Sequence, residues 1–97
     1  MPRGYWIARG DVEIDDGYRR YIEGSRIAFE KYGARPLARG GAAFPMEGTI
    51  ASRNVVLEFA SVEAAIACYN SPEYQAARAH RTGADLHIVI VEGVPDA

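Results

Sequence analysis

The chain has one cysteine, one tryptophan, two histidines and a single lysine, Lys31. A lone Cys68 cannot close an intrachain disulfide, and its place in an apolar helical pattern marks it as a buried structural thiol rather than a nucleophile. A zinc or iron centre needs three or four converging His, Cys or carboxylate groups. His80, His87 and Cys68 lack that spacing, so no metal and no other cofactor is expected. Long apolar runs are missing too. The longest purely aliphatic stretch, Ile88-Val89-Ile90-Val91, falls far short of the ~20 residues of a membrane span. The opening Met1-Pro2-Arg3-Gly4-Tyr5-Trp6 lacks the apolar core of a signal peptide, so the expectation is a cytoplasmic protein with no membrane contact. A basic excess is also absent. Eleven Lys+Arg stand against 13 Asp+Glu, for a net charge of −2 and a sequence pI near 5.6, which argues against a general nucleic-acid binder. There is no Gly-x-Ser-x-Gly elbow, no phosphate loop after Gly40-Gly41 and no GxGxxG, which removes the common nucleophile and nucleotide motifs.

What is present reads as one globular domain over residues 1–97, with 48% apolar and 25% charged residues and no linker or repeat. Residues 4–10 predict a strand of aromatic and β-branched residues between two glycines. Asp15 is placed to cap a helix whose inward stripe is Tyr18, Tyr21, Ile22, Ser25, Ala28, Phe29 and Tyr32, and Gly33 ends it. Arg35–Arg39 predicts a short strand that Pro36 confines to an edge, and an extended piece is expected to continue through Phe44 to Glu47. Asn54–Ala60 predicts a strand apolar on both faces. Ser61 caps a helix facing inward through Val62, Ala65, Ile66 and Tyr69, which Ser71-Pro72-Glu73 restarts. Asp85–Glu92 closes the order as β-α-β-β-α-β. This is the α+β, ferredoxin-like split-βαβ arrangement, an antiparallel sheet with two helices on one face. In a monomer the other face should be polar. The third and fourth strands are apolar on both faces, so a second copy of the sheet is expected to cover it.

The segments Ser52-Arg53-Asn54-Val55-Val56-Leu57-Glu58-Phe59 and Cys68-Tyr69-Asn70-Ser71-Pro72-Glu73-Tyr74-Gln75, with the opening Gly4-Tyr5-Trp6-Ile7, the ending Ile90-Val91-Glu92-Gly93 and Tyr21, resemble the bacterial domain-of-unknown-function family 1330. The likeness spans roughly residues 4–93. One departure is Ala60, where the family more often has proline before the serine cap. The resemblance implies a dimeric α/β barrel in which two ferredoxin-like sheets pack face to face. That broad group includes cofactor-free monooxygenases, haem-handling proteins and small isomerases, with ligands usually held between sheet and helices of one subunit.

Two constellations carry candidate chemistry. Tyr74, Arg78 and Arg81 share a helical face, with Tyr74 and Arg81 expected ~10 Å apart at the mouth of a cleft. Tyr21 sits on the inward stripe of the other helix beside Gly24 and Ser25, small residues expected to leave volume. A phenol and a guanidinium beside such a space suit a small carboxylate or phenolate. The competing reading makes the tyrosines core residues and the arginines solvated or paired. Glu58, between Leu57 and Phe59, is the candidate catalytic group: burial would suit it to general acid–base work, while the alternative is a strand-end carboxylate paired with Arg53 or Arg81. The leading expectation is a homodimeric small-molecule-binding protein, or a cofactor-independent enzyme, acting on a small organic acid or aromatic compound. Tyr21, Tyr74 and Arg81 would orient the ligand and Glu58 would move a proton. The alternatives are a non-catalytic binding or assembly module and, third, a haem-binding protein resting on His87. The sequence assigns no reaction.

Overall fold

A computed structural model of the chain describes residues 2–95. Strand β1 (Gly4–Asp11) runs through the middle of a four-stranded sheet. Its Trp6 and Ala8 point to one side and are buried, and Tyr5, Ile7 and Arg9 point to the other. Helix α1 (Asp16–Lys31) starts where the Asp15 carboxylate accepts from the Tyr18 amide at 2.8 Å. That bond satisfies one of the orphan donors of the first turn. Its inward stripe is as the spacing predicts, with Tyr18, Tyr21, Ser25 and Ala28 buried. Gly33 leaves the helix at φ 73°, a conformation that costs glycine nothing.

Strand β2 (Arg35–Arg39) pairs only with β3 (Arg53–Phe59), and a register shift between Pro36 and Ala38 breaks the ladder. Proline has no N–H to give, which places this strand at the sheet's edge. The extended piece expected up to Glu47 does not form. Residues 40–50 are exposed throughout and carry no strand. Gly40 and Gly48 both adopt positive φ, and Pro45 removes a donor, so the segment has neither the backbone nor a neighbour for a ladder.

Helix α2 (Val62–Tyr69) begins at Ser61, whose hydroxyl accepts from Ala64 N at 3.1 Å, so alanine at position 60 leaves the cap intact. Its inward face differs from the expectation in one residue. Cys68 is fully buried, whereas Ile66 is 46% exposed. Ser71 caps the separate helix α3 (Pro72–Arg78), making three helices over the sheet where the sequence suggested two, one of them restarted. Strand β4 (Asp85–Glu92) completes an all-antiparallel sheet of order β2-β3-β1-β4. This is the ferredoxin-like α+β arrangement, with the sheet open rather than closed into a barrel.

The core lies between sheet and helices and is built around Trp6. Its ring meets Phe29 at 5.2 Å, Tyr69 at 5.7 Å and Tyr74 at 5.0 Å, centroid to centroid, in the tilted and edge-on geometries that aromatic quadrupoles favour. Leu57, Phe59, Cys68 and Tyr74 fill the remaining interior. Among the described residues no layer covers the opposite sheet face. Ile7 and Val56 are half-buried there, and Val89 and Val91 are exposed. Among the described residues no helix is long and apolar enough to cross a membrane.

Candidate functional site

A cleft of about 230 Å³ lies between helix α1 and the sheet. The floor is apolar: Ala8 of β1, Val55 and Leu57 of β3, and Leu86 of β4. The wall is one face of α1, where Tyr18, Tyr21 and Ser25 are buried side chains. Three arginines complete the lining, Arg26, Arg39 and Arg53, and no acidic residue takes part among the described residues. Arg26 and Arg39 are exposed, which puts them at the mouth, while the Arg53 guanidinium carbon stands 5.8 Å from the Tyr18 ring centroid. An apolar pocket with fixed positive charge at its entrance is complementary to a small molecule with an apolar body and an anionic head.

The volume does not come from Gly24. A Cβ there would lie 2.9 Å from the Ala77 Cβ, so the glycine lets α1 and α3 touch and leaves no space. Ser25, one residue further round the helix, is the small residue that faces the cleft. Its hydroxyl donates back to the Ile22 carbonyl at 3.1 Å.

Where α1 packs on α3, three of the candidate residues come together. The Tyr21 and Tyr74 hydroxyl oxygens are 2.8 Å apart, Arg81 Nη2 donates to Tyr74 Oη at 3.4 Å, and the Arg81 guanidinium carbon lies 5.0 Å from the Tyr21 ring centroid. The expected ~10 Å separation of Tyr74 and Arg81 is not found, because α3 ends at Arg78 and the turn after it brings the Arg81 guanidinium within reach of Tyr74. Tyr74 is fully buried and Tyr21 nearly so, leaving no room for a ligand between Tyr74 and Arg81. Burial, with Tyr74 as a close neighbour, pushes the Tyr21 phenol well above the ordinary tyrosine range. Burial raises Tyr74 as well, against the opposing contacts with Tyr21 and Arg81. Both phenols therefore keep their hydrogens at neutral pH. Burial works against the Arg81 charge, and contact with Tyr74 and Tyr21 more than offsets it. Arg81 Nε has no hydrogen-bond partner. Arg78 points outward and is exposed.

Glu58 stands on the other side of the sheet. Its carboxylate accepts from the Tyr5 hydroxyl at 3.1 Å and lies 3.8 Å from Arg3 and 3.9 Å from Arg35. The paired reading of Glu58 thus has the right chemistry with different partners: neither Arg53 nor Arg81 reaches it. His87 is also on that open face, 77% exposed, with Nε2 3.6 Å from Asp85. Cys68 is buried, and burial followed by the nearby Glu73 charge pushes its thiol up to about 12. Among the described residues no group of three His, Cys, Asp or Glu side chains could hold a metal ion.

Compared with known proteins, residues 3–94 match the family model described as Domain of unknown function (DUF1330). The chain belongs to this family. Two solved structures share the fold of this DUF1330 chain. One is the crystal structure of RPA0582, a protein of unknown function from Rhodopseudomonas palustris, with TM-score 0.73 at 18% identity over 98% of this chain and 85% of that one. The other is the methylated RPA0582 protein, with TM-score 0.73 at 17% identity over 98% and 83%. No curated protein matches.

The DUF1330 chain holds four polar cleft residues that sequence reasoning did not single out as a site: Tyr18, Arg26, Arg39 and Arg53. Tyr18 is on the inward stripe and was legible as a neighbour of Tyr21 one turn away. The three arginines come from α1, β2 and β3, and only the pairing of β2 with β3 beneath α1 brings them to one mouth.

Proposed function

We propose that this protein is a homodimeric small-molecule-binding protein that takes a small organic acid or aromatic compound between α1 and the sheet. The observation that carries the reading is the cleft's composition among the described residues, three arginines and no acidic residue over an apolar floor. Charge selects an anion, and the floor selects an apolar or aromatic body. Tyr21 is the candidate ligand-binding residue that lines this space; Tyr74 and Arg81 act on the ligand through it. Proton transfer by Glu58 to a ligand in the cleft is not part of the reading, because the sheet lies between them. A thermal-shift series with small acids such as phenylacetate tests it. Stabilisation by the acids, lost in Arg53→Ala, supports the reading, and wild type unmoved at millimolar acid defeats it.

The dimer is supported by the open sheet face. Val89 is 52% and Val91 42% exposed beside Ile7 and Val56, and a contiguous apolar patch of this kind is unusual on a monomer. Phe44 and Met46 are also exposed, on the segment that the Arg9 guanidinium ties down through the Thr49 carbonyl at 3.2 Å. The same surface supports the second reading, a binding or assembly module whose dimer is the functional object; a dimer that responds to no small acid would favour it. The haem reading gains little from His87, which is solvated and beside Asp85. Absence of a Soret band after haem addition removes it.

A further inference from the structure

Resting on the cleft reading, we propose that Arg81 and Tyr74 set the direction of hydrogen bonding so that Tyr21 offers its hydroxyl hydrogen to the cleft. The site thereby selects small acids that carry a second oxygen acceptor, such as 2-oxo acids. A guanidinium has donors only, so at the Arg81 Nη2–Tyr74 Oη contact of 3.4 Å the phenol oxygen must accept. Tyr74 is fully buried, and a buried phenol hydrogen without an acceptor is costly. Among the described residues the one acceptor oxygen given to it is Tyr21 Oη at 2.8 Å. Tyr74 therefore donates to Tyr21, and the Tyr21 hydrogen is left to point elsewhere.

Tyr21 lines the cleft and Tyr74 does not. The outer end of the chain Arg81→Tyr74→Tyr21 is thus a hydrogen-bond donor at the buried wall, facing a mouth lined by Arg26 and Arg39. Ser25, the neighbouring hydroxyl, already spends its hydrogen on the Ile22 carbonyl. A ligand that satisfies both ends has a carboxylate at the guanidiniums and a carbonyl or similar oxygen at Tyr21. Burial keeps the hydrogen on Tyr21 throughout the neutral range. Arg81 and Tyr74 are positioning residues in this account, since neither borders the cleft.

The test compares benzoylformate with phenylacetate, two aromatic acids of similar size that differ in one ketone oxygen, by calorimetry on the full-length protein. Wild type should bind benzoylformate about tenfold more tightly, the worth of one hydrogen bond. The preference should vanish in Tyr21→Phe and shrink in Arg81→Met, with partial recovery in Arg81→Lys, which restores a donor-only group. A merely structural Arg81 would lower stability without changing the ratio. Equal binding of both acids by wild type, with loss in Arg53→Ala, overturns the directional chain and leaves the cleft reading standing. Binding of neither overturns the cleft reading, and the direction is then decided without ligand. In equal H2O and D2O, a tyrosine whose hydroxyl exchanges slowly shows two ¹³Cζ lines. Two lines for Tyr74 with one for Tyr21 uphold the direction, and two lines for Tyr21 overturn it.

Discussion

Removing the Tyr74 hydroxyl is the perturbation with the most specific expected energetics. In Tyr74→Phe the ring stays in its cluster, 5.0 Å from Trp6 and 5.1 Å from Tyr69, so packing is nearly unchanged and the cavity left is that of one oxygen. Two polar groups lose their partner at once: Tyr21 Oη and Arg81 Nη2. Arg81 Nε already lacks one. Leaving buried donors and acceptors unmade costs about 1–3 kcal/mol, and in a domain of this size each kcal/mol lowers the melting temperature by ~4–8 °C. Tyr21→Phe should cost less, about 0.5–1.5 kcal/mol, because its hydrogen faces the cleft and only one bond is lost. The two deletions remove the same contact, so the double variant should fall short of the sum by at least ~0.5 kcal/mol. Urea unfolding of all four proteins at one fixed protomer concentration measures this. Tyr74→Phe within ~0.5 kcal/mol of wild type, or strict additivity, would refute the account of a coupled buried phenol pair.

Gly24→Ala should destabilise despite the ~1 kcal/mol that alanine gains in a helix, since its Cβ would press on Ala77 at a cost of ~1–3 kcal/mol; thermal melts should show recovery when Ala77→Gly is added. Cys68, pushed up to about 12 by burial, holds a proton that the unfolded chain releases above about pH 9, so this stabilisation is complete below that pH and is lost as pH rises toward 12. Urea midpoints should fall across that window, and less so in Cys68→Ala. Val89→Asp places a charge in the open sheet face and should halve the mass seen by light scattering; a wild type already monomeric at micromolar concentration contradicts the dimer.

Most of the fold could be read from local signals because those signals agree with one another. Asp15, Ser61 and Ser71 cap where their neighbours resume an apolar period, and each side chain accepts the amide three residues on. Pro36 marked the edge strand, since a missing N–H is tolerated only there. The extension through Phe44 to Glu47 failed because extended residues do not make a strand without a neighbour to bond, and β2 has β3 on one side and no strand among the described residues on the other.

The site was legible only in part. Tyr21, Tyr74 and Arg81 do meet, yet the periodic argument assumed an uninterrupted helix to position 81 and so misjudged their spacing. Gly24 was read as space because a sequence cannot say that Ala77 fills it. Glu58 was grouped with residues on the opposite side of the sheet, although alternation along β3 already set it apart from Leu57 and Phe59. The arginines of the mouth come from three elements far apart in sequence, and no motif links them.

A titration of uniformly ¹⁵N-labelled protein with phenylacetate, followed through assigned amide resonances, tests the central claim that the space between α1 and the sheet is a small-acid site. The account predicts saturable shifts concentrated on α1 from Tyr18 to Phe29 and on the facing residues Ala8, Val55 and Leu86, weakened by added salt and abolished in Arg53→Ala. Shifts absent at millimolar acid, or clustered instead around Tyr5, Glu58 and Val89 on the open sheet face, would contradict it.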